Sequence, residues 1–304
     1  MRDMRGVLRR SRDWLAGTLF IGPALVALGL IAVVPLMYAI FSSLHSWHFH
    51  RPALREFVGL GNFAELLSDS RYLNSLSVTT GYTLLSVTAT MILGFLLALL
   101  LKEPFPGRNL VRALLTIPMI MTPVVSTLVW KTFFFEADLG LINWLLAQLG
   151  IRGPAWVATS PYAFFTLVIV NIWFMTPFVF LIMDAALAGF PRDVLDAAEI
   201  DGASYWQRVL YVIVPMLRGT IMFTLIFRIT IDFREFDIIH VMTRGGPAFD
   251  TQVLSLWVYN TALRNFQVGY ANAGAVLMMG MVAAVCLALL IIGLRGIAGR
   301  LGSR

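Results

Sequence analysis

Residues 187–218 read LAGFPRDVLDAAEIDGASYWQRVLYVIVPMLR, a charged and turn-containing stretch set between long apolar runs. Its grammar is helix, tight turn, helix. Pro191 suits the start of a helix, where a missing N–H costs nothing. Asp193 and Asp196 follow in the early turns, where carboxylates favour the helix dipole, and Ala197 and Ala198 leave a small face open to close approach. Gly202 can take a positive φ and end the first helix. Ser204 with Gln207 three residues on forms a capping box for the second, and Pro215 stops or bends that helix. The stretch is therefore expected to be a compact helical hairpin carrying acids and small residues outside a membrane.

The rest of the chain supplies that membrane. Of 304 residues, 59% are hydrophobic and 13% charged, with a mean hydropathy of +0.80. A soluble domain is nearer a quarter charged. A spanning helix needs about 20 apolar residues, and runs of that kind lie at roughly 15–44, 73–101, 111–134, 163–187, 219–241 and 271–294. The segments expected on the hairpin's side carry 14 Lys and Arg: the N-terminal stretch, the 102–112 connection, the hairpin and the C-terminal tail. The opposite connections carry 7: Arg51, Arg55, Arg71, Lys131, Arg152, Arg244 and Arg264. Positive residues stay inside, so both termini and the hairpin are expected to face the cytoplasm. The layout is a basic N-terminus over 1–14, a transmembrane domain over 15–294 with its cytoplasmic loop at 187–218, and a short tail over 295–304. The first apolar run is long and lacks a clear cleavage site, which reads as a retained span. The net charge of +6 is a topology signal and calls for no nucleic acid. The only cysteine, Cys286, excludes an intrachain disulfide.

The hairpin resembles the EAA loop of ABC importer permeases, whose pattern is Glu-Ala-Ala, three residues, Gly, nine residues, then Ile-x-Leu-Pro. Asp196, Ala197, Ala198, Gly202, Val212, Val214 and Pro215 fall at those spacings, with Asp for Glu and Val for Ile and Leu. The resemblance implies that the loop docks in a cleft of an ATPase subunit and couples ATP hydrolysis to the spans, through Asp196, Ala197, Ala198, Asp201 and Gly202. It further implies a second homologous permease, two ATPase subunits that bind the ATP and Mg, and an extracytoplasmic solute-binding protein. The fold implied is all-α: six transmembrane helices with a cytoplasmic coupling hairpin, the type I importer permease architecture, in a bacterial or archaeal cytoplasmic membrane.

Polar residues inside the spans point to a solute path. Asn171, Trp173 and Thr176 lie in the fourth span, and polar groups at that depth face the bundle interior. In the fifth, Arg228 lies near the bilayer centre, and Asp232 is one turn on along the same face. An ionisable group there costs at least about 2.5–3.5 kcal/mol, so it needs water or a partner. Phe233 and Phe236 add planar apolar surface, a combination suited to sugars and polyols. Two readings stand: these residues line the path, in which case Asp232→Ala cuts transport with assembly intact, or Arg228 and Asp232 form a structural ion pair. Pro118 and Pro123 bend the third span, for gating or for packing. His45, His48 and His50 in the first outer loop have no acidic or cysteine ligand interleaved and read as a solvated loop.

Gly59–Phe63, residues 118–130, 140–149, 251–259 and 266–271 resemble the sugar branch of the permease family, the first permease subunit of maltose and glycerol-phosphate importers. That resemblance covers nearly the whole chain. It places Thr243, Gly245, Gly246 and Pro247 beside the binding protein and implies a sugar, oligosaccharide, polyol or sugar phosphate as cargo. No phosphate-binding Gly-x-x-x-x-Gly-Lys loop is present, and neither Lys102 nor Lys131 follows a glycine. No zinc or nucleophile motif occurs either, so the chain reads as a non-catalytic subunit without catalytic residues, metal or cofactor of its own. The alternative from another class is an ion-driven secondary transporter, with which Asp232 and Glu235 are compatible.

Overall fold

The computed structural model describes the backbone of residues 2–50 and 55–301, and side chains over 19–50 and 55–293. The basic side chains expected at 1–14 and 295–304, and Arg51, lie outside the described residues. Among the described residues four helices are long and apolar enough to cross a membrane, and up to six crossings result if each of two bent helix pairs counts as one. The first is α1 (Arg2–Ser43), whose apolar segment from Leu19 is almost wholly exposed within the chain. A two-residue antiparallel ladder, β1 (His45–Ser46) with β2 (Glu56–Phe57), follows, then a short helix, α2 (Gly61–Leu66). Asn62 is buried and its Nδ2 donates to the Ser43 and His45 carbonyls at 2.8 and 3.1 Å, capping the end of α1. Among the described residues no acidic, His or Cys group gathers to hold a metal.

The scaffold is α3 (Ser70–Leu100), which packs along α7 (Tyr162–Ala188). Asp69 starts α3 by accepting the Arg71 and Tyr72 N–H groups at 2.8 and 3.3 Å, satisfying donors the first turn leaves open. Gly94 lets the two helices touch: a Cβ there would lie 2.6 Å from Val179 Cβ. At 31 residues and 1.5 Å each, α3 is about 46 Å long, more than the roughly 30 Å of a bilayer's hydrocarbon core.

The third apolar run is broken rather than bent. Helix α4 (Arg108–Ile120) and α5 (Pro123–Val129), with its π-helical continuation Trp130–Phe134, meet at 102°. Met121 and Thr122 are extended; for Thr122 the cause is Pro123, which pushes the residue before it out of the helical region. Arg112 ties α4 to α7 through Asp184 at 2.5 Å, and the Lys131 ammonium donates to the Val241 carbonyl at 2.9 Å. After the break Glu136 accepts the Asp138 and Leu139 N–H groups, and these bonds to its carboxylate, Leu139 first, pull its pKa down. The amphipathic α6 (Leu141–Gln148) follows.

The hairpin consists of α8 (Arg192–Ile200) and a second arm made of α9 (Tyr205–Gln207), a π-helical turn Arg208–Ile213 and α10 (Val214–Met216). The chain then turns through 72° at Leu217 into α11 (Arg218–Asp232) and α12 (Asp237–Met242). The fifth apolar run is therefore interrupted over residues 233–236. Glu235 stabilises the interruption by accepting the Ile238 N–H at 3.1 Å, and Ser255 donates to the Glu235 carbonyl. Helix α13 (Leu254–Tyr259), its π-helical extension Asn260–Arg264, and α14 (Val268–Leu301) complete the chain, with α14 packed on α1 and α11.

Candidate functional site

The hairpin has the grammar read from its sequence. Pro191 caps α8, Gly202 turns with φ +81°, and the capping box forms, with the Ser204 N–H donating to Gln207 Oε1 at 2.7 Å. An ion pair between Arg208 and Glu199 staples the two arms. One face is rooted: Leu195, Val209 and Ile213 are buried with Leu99, Leu187 and Phe190 from α3, α7 and the link to α8. The other face is free. Asp196, Ala197, Asp201 and Gly202 are exposed and Ala198 is half-buried. Sequence reading missed the apolar component of that face. Ile200 is 87% exposed, and Tyr205, Trp206 and Tyr211 are exposed on the second arm. The sign was present in the sequence: an isoleucine directly before the turn acid, and an aromatic pair opening the next helix.

The six residues expected along the solute path fall into separate settings. Asn171, Arg228 and Asp232 come together between α7 and α11. Arg228 Nη2 donates to Asp232 Oδ2 at 2.7 Å and to Asn171 Oδ1 at 3.0 Å, and Asn171 Nδ2 reaches Asp232 Oδ1 at 3.4 Å. Both charged side chains have 0% exposure. In this conformation the pair is enclosed by the chain, with Arg228 Nη1 buried and without a partner, and a charge in a dry interior persists only when paired and hydrogen-bonded. The outcome expected for Asp232→Ala changes accordingly, since it would strand a buried guanidinium. Trp173 is elsewhere, with its ring edge-on to Trp130 at 5.5 Å. Phe233 packs with Tyr72, Leu254 and Trp257, while Phe236 stacks on His240 and Tyr259.

The polar cluster continues into α3, which sequence reading overlooked. Arg228 Nε reaches Thr90 Oγ1 at 3.4 Å. Ser75, Thr79, Thr83, Ser86 and Thr90 are all buried and recur every three or four residues along α3, as does Tyr82 one turn after Thr79. That spacing puts them on one helix face and was legible as a polar stripe in an apolar span.

The loop between α12 and α13 is knotted by side chains. Thr243 and Thr251 hydroxyls meet at 2.7 Å, Thr251 Oγ1 donates to the Gly246 carbonyl at 2.6 Å, and the Gly245 N–H donates to Thr243 Oγ1 at 3.3 Å. Gly245 is buried with φ +89°, and a Cβ there would meet Leu256 and Gln252. Thr243, Gly246 and Pro247 are half-buried, and the exposed tip is formed by Arg244, Ala248, Phe249 and Asp250. The Phe249 carbonyl accepts from Asn74 Nδ2 at 3.0 Å, so the loop sits at the start of α3, opposite the hairpin.

Residues 90–303 match the family described as binding-protein-dependent transport system inner membrane components. The chain belongs to this family. It is similar, at 36% identity over 251 residues, to the trehalose/maltose transport system permease protein MalF of Thermococcus litoralis, covering 83% of this permease and 84% of that one. It is 34% identical over 267 residues to the trehalose transport system permease protein SugA of Mycobacterium tuberculosis, covering 88% and 85%. In fold, this permease is like a chain of a bacterial ABC transporter involved in the import of the acidic polysaccharide alginate, with a TM-score of 0.80 at 20% identity, over 96% and 99% of the two chains. The permease is thus the membrane subunit of a binding-protein-dependent ABC importer, in the type I permease fold expected from the sequence. The ion-driven alternative gains no support from these relatives.

Proposed function

We propose that this permease forms one half of the membrane path of an importer for a carbohydrate-type solute, driven by ATP that partner subunits hydrolyse. The second half is a homologous permease. Two ATPase subunits hold ATP and Mg, and an extracytoplasmic binding protein delivers a sugar, oligosaccharide, polyol or sugar phosphate. The chain carries no catalytic residue; its roles are to line the path, to meet lipid, and to transmit motion. Its place is a bacterial or archaeal cytoplasmic membrane with both termini inside.

The observation that carries the reading is the two-faced hairpin. Leu195 and Val209 root it among α3 and α7, while Asp196, Ala197, Asp201, Gly202 and Ile200 stand free on the opposite side. An exposed apolar group ringed by acids and small residues fits a docking cleft. Motion of an ATPase bound there would pass through the rooted face into α3 and α7. A ligand shifts such an equilibrium only through differential affinity for the two states, which ATP supplies in the partners. Carbohydrate cargo is supported by the names of the relatives, which transport trehalose and maltose. The buried Arg228–Asp232–Asn171 cluster would pin the wall of the path, and Thr243, Gly245, Gly246 and Pro247 would hold the shape of the loop that meets the binding protein.

Reconstitution of the complete transporter with its binding protein tests this function. Uptake of trehalose or maltose is expected to require internal ATP and to persist when ion gradients are collapsed. Uptake abolished by an ionophore at constant ATP would overturn it.

A further inference from the structure

A cavity of about 350 Å³ opens at the end of α3 that lies away from the hairpin, between the start of α3, α13 with its π-helical extension, and the start of α14. It shares no residue with the buried Arg228–Asp232–Asn171 cluster. Two arginines line it: Arg71 in the first turn of α3 and Arg264 at the end of the π-helical extension. Both are exposed, and neither belongs to an ion pair among the described residues. The single acid on the wall, Asp69, is committed elsewhere. Its Oδ1 accepts the Arg71 and Tyr72 N–H groups at 2.8 and 3.3 Å, and its Oδ2 accepts the Tyr270 hydroxyl at 3.0 Å.

Arg71 is also held in place. Its guanidinium carbon sits 4.9 Å from the centre of the Phe249 ring, a face that attracts a cation. Phe249 is itself anchored by the bond from Asn74 to its carbonyl. Ala248 and Phe249 take φ of +44° and +71°, a region that disfavours side chains. Such strain persists only where its surroundings impose it, and it gathers at ligand clamps; here the Thr243–Thr251 knot imposes it. A guanidinium is a rigid fork of donors matched to a carboxylate, and a fork already in place loses little freedom on binding. Because both arginines stand at the surface rather than along a sealed interior, they suit a contact that forms and releases with each transport cycle. We propose that this cavity is a socket for one Asp or Glu side chain of the solute-binding protein, gripped by Arg71 and Arg264 together. The proposal rests on the importer reading above.

The test uses the complete transporter in lipid nanodiscs and its solute-loaded binding protein. The Kd of the binding protein is measured for the parent and for Arg71→Ala, Arg264→Ala and Arg152→Ala, the last an exposed arginine off this cavity. Each cavity variant is expected to bind roughly tenfold more weakly, and Arg152→Ala to stay within about twofold of the parent. Unchanged Kd in the cavity variants, or an equal loss in all three, overturns the socket. Arg71→Glu is then set against binding-protein variants in which each exposed Asp and Glu becomes Lys in turn. One reversed acid is expected to bind the Arg71→Glu complex more tightly than it binds the parent complex. A scan in which every reversed acid prefers the parent overturns the proposal. ATP-driven uptake by the parent is measured in parallel. Parent uptake with unaffected cavity variants overturns the socket alone, whereas absence of both binding and uptake in the parent overturns the importer reading as well.

Discussion

The hairpin and the α7–α11 cluster both place charge in an apolar chain, and they do so in opposite ways. In the hairpin, Asp196 and Asp201 stand in solvent, and the main ion pair, Arg208–Glu199, joins neighbouring arms of the same loop. In the cluster, Arg228 and Asp232 are sealed at 0% exposure, and their third partner, Asn171, comes from a helix 57 positions away in sequence from Arg228. A solvated charge leaves the surface around it free to bind something else. A sealed charge is committed to its partners, because removing one strands the other.

Asp232→Ala probes this contrast most severely. It leaves the Arg228 guanidinium buried without its anion, a change that costs about 3–5 kcal/mol where such pairs are broken. Loss of assembled protein is expected in detergent size-exclusion, and Arg228→Met combined with Asp232→Leu is expected to recover part of it. Normal amounts of assembled Asp232→Ala would show that water reaches the pair and that the path-lining reading should lead.

Gly94→Ala comes next. Its Cβ would lie 2.6 Å from Val179 Cβ and 2.9 Å from the Phe180 nitrogen, and overpacking of this kind costs about 1–3 kcal/mol. A lowered thermal midpoint of the purified complex is the expected readout. Gly202→Ala should cost less. The residue has φ +81° in open space, so the penalty is that of a left-handed L-residue alone, about 1–2 kcal/mol, and it should loosen the hairpin turn without disturbing the cluster.

The smallest stability change belongs to Asp196→Lys. The side chain is exposed, and such substitutions usually stay within about 0.5 kcal/mol. Coupling is expected to suffer nonetheless: transport-linked ATP hydrolysis should fall at least roughly tenfold, since tenfold needs only about 1.4 kcal/mol and like charge in a docking contact costs several kcal/mol. A variant that assembles and couples like the parent would remove Asp196 from the docking surface.

The comparison also separates what could be read in one dimension. The hairpin's turn, caps and breaks were legible because each depends on residues three or four apart: Ser204 with Gln207, and Gly202 at its own φ. Its exposed apolar face left only a weak sign, because Ile200 differs from Leu195 only in which side of α8 it occupies, and packing against α3 and α7 decides which side is free. In the cluster, Arg228 and Asp232 were legible as a pair four residues apart, and Asn171 as a polar group at membrane depth. That the three meet, that Thr90 joins them, and that Phe233 and Phe236 turn into separate packing groups could not be read from spacing.

The sequence by itself determined the class of molecule: apolar runs of spanning length, the distribution of Lys and Arg between their connections, and the hairpin grammar are local properties of composition and short-range backbone preference. The proline pair at 118 and 123 likewise marked where the third run would deviate. Only the tertiary structure decided that this run breaks at 102°, that the fifth is interrupted before α12, and which charges are sealed. Those outcomes depend on whether a distant helix supplies the missing hydrogen-bond partner or the void for a side chain. Asn171 supplies the first for Arg228 and Gly94 the second for Val179, and neither contact leaves a periodic trace along the chain.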